Sequence, residues 1–419
     1  MDGRSDRSVR ERRVRPRLSP ALAPSDLLGR APGNVRVGGR VVAASSKVVV
    51  LADALGMIEV HTRVPAELEP GELVVFAGRW TGSALQATRV EDRLKAPEPR
   101  GDGDLGRFLL NGVGRHLAAR SKALSEARSY FAEQAFVEVE TPLLVRAPGV
   151  DRNVEALSAS SGFLITSPEH AMKRLLVGGV PRLFQLGRVF RRDESGALHE
   201  PEFTLLEWYR AFADYTAILA DTEAIVSRVA KALSGRFELR VGDGRAVRVK
   251  PPFERLRVED AFREHAGIRD VSKLAERDED RYFELLVSRV EPALARRDKP
   301  VFLCDYPISQ AALSRPCPAD PRFAERFELY VGGVELSNGY GELTEPREQR
   351  RRFVLEQKRR RAEKRTVYPL DEAFLSALAE GMPPSSGNAL GFDRLVALAL
   401  GLPAIQQAVA FPWQGAPPR

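Results

Sequence analysis

The side chains best suited to chemistry are concentrated in three short segments whose other residues are apolar and strand-like. Charged groups inside strands cost free energy unless they meet a partner, so such segments are candidates for binding or catalysis. The first spans residues 190–210 and carries Arg191, with Phe203 two residues after Pro201. An arginine at a strand end can bind a phosphate through two hydrogen bonds, and the aromatic ring could stack on a purine. The segment predicts a nucleotide site, with a solvated charged hairpin as the alternative.

The other two segments add carboxylates and a glycine-containing turn. In residues 333–343, Glu335 and Glu342 lie seven positions apart. Paired carboxylates beside a nucleotide suit Mg²⁺ or a substrate ammonium, and plain surface charge is the alternative. In residues 385–395, glycines precede Asp393 and Arg394 at the start of an apolar helix. Small residues let a ligand approach the backbone, and a helix N-terminus favours anions.

The sequence as a whole excludes several classes of protein. It contains neither the Gly-x-x-x-x-Gly-Lys-Ser/Thr pattern of a P-loop nor a strand-linked Gly-x-Gly-x-x-Gly turn, so a nucleotide would be held in another way. Two cysteines, Cys304 and Cys317, and five histidines supply no disulfide framework and no thiolate zinc site. No apolar run reaches the roughly 18–20 residues of a membrane span, which predicts a cytoplasmic protein. The net charge of +7 points weakly to an acidic partner.

The composition along the chain predicts two folded domains that position these segments. Residues 1–33 read as a disordered basic arm, and residues 96–106 as a linker. Residues 34–95 contain five short β-rich runs typical of an OB-type barrel. Its rings are Phe76 and Trp80, with His61 as a third stacking group, so a structural barrel with weak RNA affinity and a specific RNA reader both stay open. Residues 107–419 predict an α+β domain, an antiparallel sheet flanked by helices, with one helix over 116–134.

Three of these sequences, in this order, resemble the motifs of class II aminoacyl-tRNA synthetases. AEQAFVEVETPLL around Pro142 looks like motif 1, VFRRDE followed by HEPEFTLLEWY looks like motif 2, and GNALGFDRL looks like motif 3. The resemblance implies the class II catalytic domain, ATP bound in a bent conformation and formation of an aminoacyl-adenylate. Motif 1 supports the dimer interface in that class, which implies a homodimer.

Within the class, the lysine branch fits best. HEPEFTLLEWYRAFADY and ELSNGYGELTEPREQRRRF are similar to lysyl-tRNA synthetases, and the barrel is placed like their anticodon-binding domain. The catalytic region looks closer still to a paralogous family, the ligases that join (R)-β-lysine to translation elongation factor P. LITSPEHAMKRLL and DYPISQAALSR support this similarity. Ala389 stands where lysyl-tRNA synthetases usually carry Gly, a change that reshapes the lysine pocket.

The resemblance also implies a role for each matching residue. Arg191 would hold the α-phosphate, Phe203 would stack on the adenine, and Arg394 would cover its other face and contact the γ-phosphate. Both arginines are the predicted catalytic residues. The predicted ATP-binding set is Arg191, Arg192, Asp193, Glu200, Phe203, Glu335, Leu336, Gly391 and Arg394. The predicted substrate-binding set is Ser167, Pro168, Glu169, Glu207, Tyr209, Asn338, Glu342 and Ala389, and the predicted Mg²⁺ ligands are Glu335 and Glu342.

Three positions depart from the family pattern. The ligases read FRNEE and HNPEF where this chain has Arg192, Asp193 and Glu200. Asp193 reaches less far than glutamate. Glu200 places a negative charge where an ATP-contacting asparagine is expected, which would weaken ATP binding unless Arg192 compensates.

The sequence thus predicts an ATP- and Mg²⁺-dependent ligase that activates lysine or (R)-β-lysine as its adenylate and transfers it to a lysine side chain of elongation factor P. The first alternative is a lysyl-tRNA synthetase, and the second is a catalytically silent paralogue that binds RNA or a translation factor. Weak tRNA contact through the barrel is also predicted. The basic stretch 346–365 could contact tRNA or the acceptor protein, or form a solvated helix face.

Overall fold

The structure is a computed structural model that describes residues 21–62, 67–96, 98, 103–149, 154–311 and 313–413. The chain divides into two compact units, Met1–Arg115 and His116–Arg419. Residues 1–20 of the predicted basic arm and residues 97 and 99–102 of the predicted linker lie outside the described residues. Within the described ranges, no helix has the length and apolarity needed to cross a bilayer. The finer domain boundaries stay a prediction.

The first unit contains a closed five-stranded barrel, which confirms the predicted barrel fold. Its strands alternate inward and outward side chains, as in Val35, Val37 and Val41, which are all buried. The barrel closes in the order β1-β2-β3-β5-β4. The strands are β1 Gly33–Ala44, β2 Val48–Ala52, β3 Met57–Thr62, β4 Leu73–Trp80 and β5 Ala84–Leu94.

The core of the barrel contains Phe76 and Trp80, the two rings that are candidates for base stacking. Phe76 and Trp80 are 0% and 2% exposed, and the Trp80 indole N–H donates to the Arg30 carbonyl oxygen at 3.0 Å. Neither ring is therefore available to stack on a base. The described part of the predicted arm is ordered, unlike the prediction: Pro24–Leu27 forms a 3₁₀ turn, because Leu27 packs into this core.

The second unit is built on an eight-stranded sheet of order β14-β15-β16-β17-β18-β11-β10-β6. Neighbouring strands are antiparallel, as predicted, except for the outermost pair at each edge, β6 with β10 and β14 with β15, which are parallel. The edge strands are short. The strands of this sheet are β6 Val137–Glu138, β10 Arg182–Phe190, β11 Glu202–Ala211, β14 Glu254–Arg257, β15 Val301–Pro307, β16 Phe323–Val331, β17 Val334–Gly341 and β18 Ser385–Gly391. Small sheets add β7 Leu144–Val145, β8 Ser158–Ala159, β9 Gly162–Leu164, β12 Glu238–Arg240 and β13 Ala246–Arg248.

Helices cover the sheet and enclose its main core. The helix predicted over 116–134 is α1, and its Phe131 ring stacks on Phe184 of β10 at a centroid distance of 4.4 Å. A second apolar cluster lies among α4–α7 and β15. A π-helical turn, Leu286–Val290, joins α6 to α7. The helices are α1 Val113–Glu133, α2 Glu169–Val177, α3 Tyr215–Ser234, α4 Val258–Ala266, α5 Val271–Arg277, α6 Glu279–Leu285, α7 Glu291–Ala295, α8 Pro346–Ala362, α9 Glu372–Gly381 and α10 Phe392–Leu400.

Strand order brings the three chemically rich segments together. β11, β18 and β17 are consecutive neighbours in the sheet, although they come from distant parts of the chain. In their register Ala389 faces both Glu207 and Asn338 across the ladder. The centre of the sheet thus forms one floor to which all three segments contribute.

Candidate active site

A cleft of about 860 Å³ lies over the centre of this sheet. Its walls come from α2, α5–α8 and the loop that joins β10 to β11. The predicted site residues that line it are Ser167, Pro168, Glu169, Arg191, Glu200, Phe203, Glu207, Tyr209, Glu335, Leu336, Asn338, Ala389, Gly391 and Arg394. Arg192, Asp193 and Glu342 are not among the lining residues. Most of the predicted residues are therefore brought together, and their assigned roles stay predictions.

One end of the cleft is built around a buried carboxylate on β11. Glu207 is 1% exposed. It accepts hydrogen bonds from the Ser167 hydroxyl and the Tyr209 hydroxyl, both at 2.7 Å. Burial, reinforced by the negative charge of Glu169, raises the pKa of Glu207 to about 8. A bound ammonium would place a positive charge beside this carboxyl and would favour its ionised form.

Behind this carboxylate lies a buried ion cluster centred on Lys173 of α2. Its Nζ lies 2.5 Å from Glu169 Oε1 and 2.5 Å from Glu342 Oε2. Burial opposes the charged ammonium, but the two carboxylates outweigh it and raise the pKa of Lys173. Burial likewise raises the pKa of Glu342 to about 7, against the opposing effect of Lys173. Glu169, Glu207 and Glu342 thus share one internal cation, which leaves this end of the cleft anionic when the carboxyls ionise.

The other end of the cleft combines cations with an aromatic ring. The Arg191 guanidinium lies 5.1 Å from the centroid of the Phe203 ring. Arg394, in the first turn of α10, donates to the carbonyl oxygens of Leu198 at 3.0 Å and Glu335 at 2.9 Å. These contacts orient two guanidinium groups toward one region of the cleft. Paired guanidinium groups beside an aromatic ring suit a nucleotide with its phosphates.

A second pair of carboxylates lies at this end, and it differs from the predicted pair. At about 3.3 Å per residue, Glu335 and Glu342 stand roughly 20 Å apart at opposite ends of β17, so they cannot share one metal ion. The neighbour of Glu335 is Glu328 on the adjacent strand β16, a residue that the sequence reasoning missed. Burial and the charge of Glu328 raise the pKa of Glu335 to about 7.

Glu328 is held by hydrogen bonds from the surrounding side chains. Its oxygens accept from the hydroxyls of Tyr306 at 2.5 Å and Tyr330 at 2.8 Å. Arg326 donates to it at 2.7 Å. Among the described residues, no group of three or more histidine, cysteine or acidic side chains is arranged to hold a metal. Both Glu328 oxygens already accept hydrogen bonds from the chain. Glu335 and Glu328 are carboxylates on neighbouring strands, and oxygen ligands of this kind are the ones that Mg²⁺ prefers.

Two of the three departures from the family pattern, Arg192 and Asp193, do not line the cleft. The Arg192 guanidinium lies 3.4 Å from Glu155, which also pairs with Arg360 and Arg365. The Asp193 side chain is 78% exposed. The carboxylate that does line the cleft is Glu194, 3.5 Å from Arg191. The proposed compensation by Arg192 is therefore absent from this arrangement, since its charge is directed to Glu155.

Glu200, the third departure, is buried and its carboxylate is occupied. One oxygen accepts from the Gln406 side-chain amide at 2.5 Å, and the other accepts from the Trp413 backbone N–H at 2.7 Å. The negative charge is thus stabilised by the chain itself.

The chain is similar to known proteins of one family. A family profile described as tRNA synthetases class II (D, K and N) matches residues 108–415. Curated proteins called elongation factor P–(R)-β-lysine ligase are similar to the chain. The protein from Vibrio cholerae is 38% identical over 309 residues, covering 71% of this chain and 95% of its own length. Those from Proteus mirabilis and Yersinia enterocolitica are each 39% identical, covering 71% of this chain and 94% of their own length.

Proposed function

Because the chain belongs to the class II tRNA synthetases of the D, K and N type, with relatives among the elongation factor P–(R)-β-lysine ligases, we propose that it is an ATP-dependent ligase. It activates lysine or (R)-β-lysine as the aminoacyl-adenylate and transfers the aminoacyl group to a lysine side chain of elongation factor P. The observation that carries this proposal is that one cleft contains both the buried carboxyl of Glu207 and, away from it, the guanidinium groups of Arg191 and Arg394. An adenylated amino acid with an ammonium side chain has the complementary charges, a cation at one end and a phosphate at the other.

At the carboxylate end, Glu207 binds the side-chain ammonium of the substrate. The approach of a cation favours the ionised carboxylate, so binding displaces the proton that burial retains. A neutral side chain would form no ion pair with this carboxyl. That difference in binding selects an ammonium substrate over neutral amino acids of similar size.

At the other end, Phe203 stacks on the adenine, and Arg191 and Arg394 bind the phosphates. The substrate carboxylate attacks the α-phosphorus of ATP, the bond to the β-phosphate breaks, and pyrophosphate leaves. Arg191 is placed to offset the charge that develops at the α-phosphate. Mg²⁺ held by Glu335 and Glu328 would neutralise charge on the leaving phosphates. The acceptor amine then attacks the adenylate carbonyl, AMP leaves, and the nitrogen loses a proton as the amide forms.

Charging of tRNA is the second candidate, and the barrel is the observation that favours it. The strands Gly33–Leu94 lie outside the matched family profile, which begins at residue 108. The burial of Phe76 and Trp80 argues against base recognition by stacking on these rings. We therefore propose elongation factor P as the main acceptor and only a weak RNA contact for the barrel.

We also propose that the chain forms a homodimer through its motif 1 region. Val137, Leu143 and Leu144 are 51%, 42% and 48% exposed. Apolar side chains exposed close together are typical of an interaction surface. This surface matches the part of the resemblance that implies a dimer.

The proposal is tested by a competition experiment with purified protein, ATP, Mg²⁺ and labelled α-lysine or (R)-β-lysine. Equal amounts of elongation factor P and lysine tRNA serve as acceptors. Label on elongation factor P, and its loss in the Arg394→Ala variant, is the expected result. Arg236→Ala, whose side chain is 73% exposed and lies outside the cleft and the basic stretch 346–365, serves as the matched control. Label on tRNA alone would refute the proposed acceptor. Failure of wild-type protein to exchange pyrophosphate with ATP would refute the activity itself.

A further inference from the structure

The segment Ile405–Trp413, called here the strap, contacts the loop between β10 and β11 at several points. The Ile405 N–H donates to the Ala197 carbonyl oxygen at 2.9 Å. The Gln406 amide donates to the carbonyl oxygens of Gly196 at 3.0 Å and His199 at 3.3 Å. The strap is anchored in turn, because Ile405 and Ala408 are 2% and 0% exposed. The loop is therefore tied to a fixed part of the protein.

Glu200 adds a charged group to these contacts. Its two oxygens join the two ends of the strap, one through Gln406 and one through the backbone N–H of Trp413. Hydrogen bonds to a carboxylate are roughly twice as strong as those between neutral groups. An asparagine at this position would be one methylene shorter and would not reach both donors. The length and the two oxygens of the Glu200 side chain thus match the two donors of the strap.

The opposite side of the same loop holds Arg394. Its guanidinium donates to the Leu198 carbonyl oxygen at 3.0 Å and lies 2.6 Å from His199 Nε2. Burial and the charge of Arg394 lower the pKa of His199. The ring is therefore neutral near pH 7 and can accept this hydrogen bond. A displacement of residues 198–199 would move the guanidinium that the proposed function assigns to ATP.

We propose that Glu200 is a positioning residue that fastens the loop 196–200 to the strap and thereby holds Arg394 in the geometry that binds ATP. This inference rests on the proposed function, since it assigns ATP to Arg394. Glu200 acts through the loop and the arginine rather than by contact with the nucleotide. In this chain, nucleotide affinity then depends on residues 405–413, which lie far from motif 2 in the sequence.

The sharpest test removes a single backbone donor. Trp413→Pro deletes the N–H that binds Glu200, whereas Trp413→Ala keeps it and removes only a ring that is 66% exposed. In ATP–pyrophosphate exchange, we expect the KM for ATP to rise about tenfold in Trp413→Pro, as for the loss of one hydrogen bond to a charged group. The KM for lysine should stay unchanged in both variants. Equal KM values for ATP in the two variants would overturn the proposal.

A second comparison separates positioning from direct contact and from loss of folding. Glu200→Asn shortens the side chain, so we expect a higher KM for ATP. A lower KM would show that this position contacts ATP directly and would refute the proposal. In a Glu200→Ala background, Trp413→Pro should have no further effect, because no side-chain acceptor remains for the bond that it removes. Thermal unfolding of each variant identifies general destabilisation. Absence of exchange in wild-type protein would instead contradict the proposed function, which keeps the two failures distinct.

Discussion

Replacement of Glu207 by glutamine tests the chemical basis of substrate selection. The change keeps the shape of the side chain and its contacts with Ser167 and Tyr209, but removes the charge that would face the substrate ammonium. Removing one partner from a buried ion pair costs about 3–5 kcal/mol. At pH 7 the wild-type group must first ionise from a pKa of about 8, which takes back about 1 kcal/mol. The net loss is then about 2–4 kcal/mol, a rise of roughly 30- to 900-fold in the KM for lysine.

This reasoning also predicts how the defect depends on pH. The raised pKa of Glu207 means that the folded protein holds a proton near pH 7 which substrate binding must displace. The ratio of variant to wild-type KM should therefore grow about tenfold between pH 7 and pH 9, while the lysine ammonium stays charged up to about pH 10. ATP–pyrophosphate exchange at both pH values measures the ratio. Calorimetry in buffers of different ionisation enthalpy should detect release of close to one proton at pH 7, and none in the variant.

The control is Glu276→Gln, which removes an exposed carboxylate from the same cleft. A KM ratio independent of pH, or an equal defect in the control, would refute the reasoning. The defect of the glutamine variant is not expected to come from loss of folding stability, as the pH dependence of the wild-type stability shows. Because the pKa of Glu207 is raised, the folded state binds a proton that the unfolded state has released above about pH 4.5. Stability from this group falls as pH rises toward 8, so the glutamine variant should be at least as stable as wild type at pH 8.

Three further predictions concern the metal, the dimer and the fold. Glu328→Gln and Glu335→Gln should each raise the Mg²⁺ concentration needed for half-maximal pyrophosphate exchange, and an unchanged requirement in both would remove the assigned pair. Wild-type protein should be a dimer in light scattering and Leu144→Glu a monomer, since the change places a charge in the exposed motif 1 surface of the proposed interface. A dimer that persists would redirect the search for the interface. Asp393→Asn should lower the free energy of unfolding by about 3–5 kcal/mol in urea titration, because it leaves Arg120, 2.6 Å from Asp393 Oδ1, buried beside a neutral group. A loss below about 1 kcal/mol would contradict this account.

The sequence predicts which residues form the site better than it predicts which of them contact each other. The motif 1, 2 and 3 resemblance implies a class II sheet, and the register of Ala389 against Glu207 follows only from the folded strands. Glu328 was missed although a signal for it exists. Arg326, Glu328 and Tyr330 alternate along β16, so they share one face of the strand, whereas the other face carries Phe327, Leu329 and Val331 after Glu325. A polar face of this kind on a central strand indicates a site.

Other parts of the site leave no such signal. Lys173 and Glu169 are four residues apart on a helix, a spacing that usually means a solvent-exposed pair, and only the folded structure shows that Lys173 is buried beside Glu342. The strap bond to Glu200 uses a backbone N–H of Trp413, so side-chain identity does not encode it. Contacts that depend on burial or on main-chain atoms across 213 positions are set by tertiary packing alone.

The short edge strands of the large sheet affect how the protein behaves while it is being synthesised and refolded. β6 contributes two residues at one edge and β14 contributes four at the other. Few unpaired main-chain groups are therefore presented to a second molecule, and strand addition from a neighbouring chain has little template on which to grow. The short edge strands thus limit the edge-to-edge pairing by which a wide sheet could otherwise aggregate. Association between copies is left to side-chain surfaces, which can be specific and reversible.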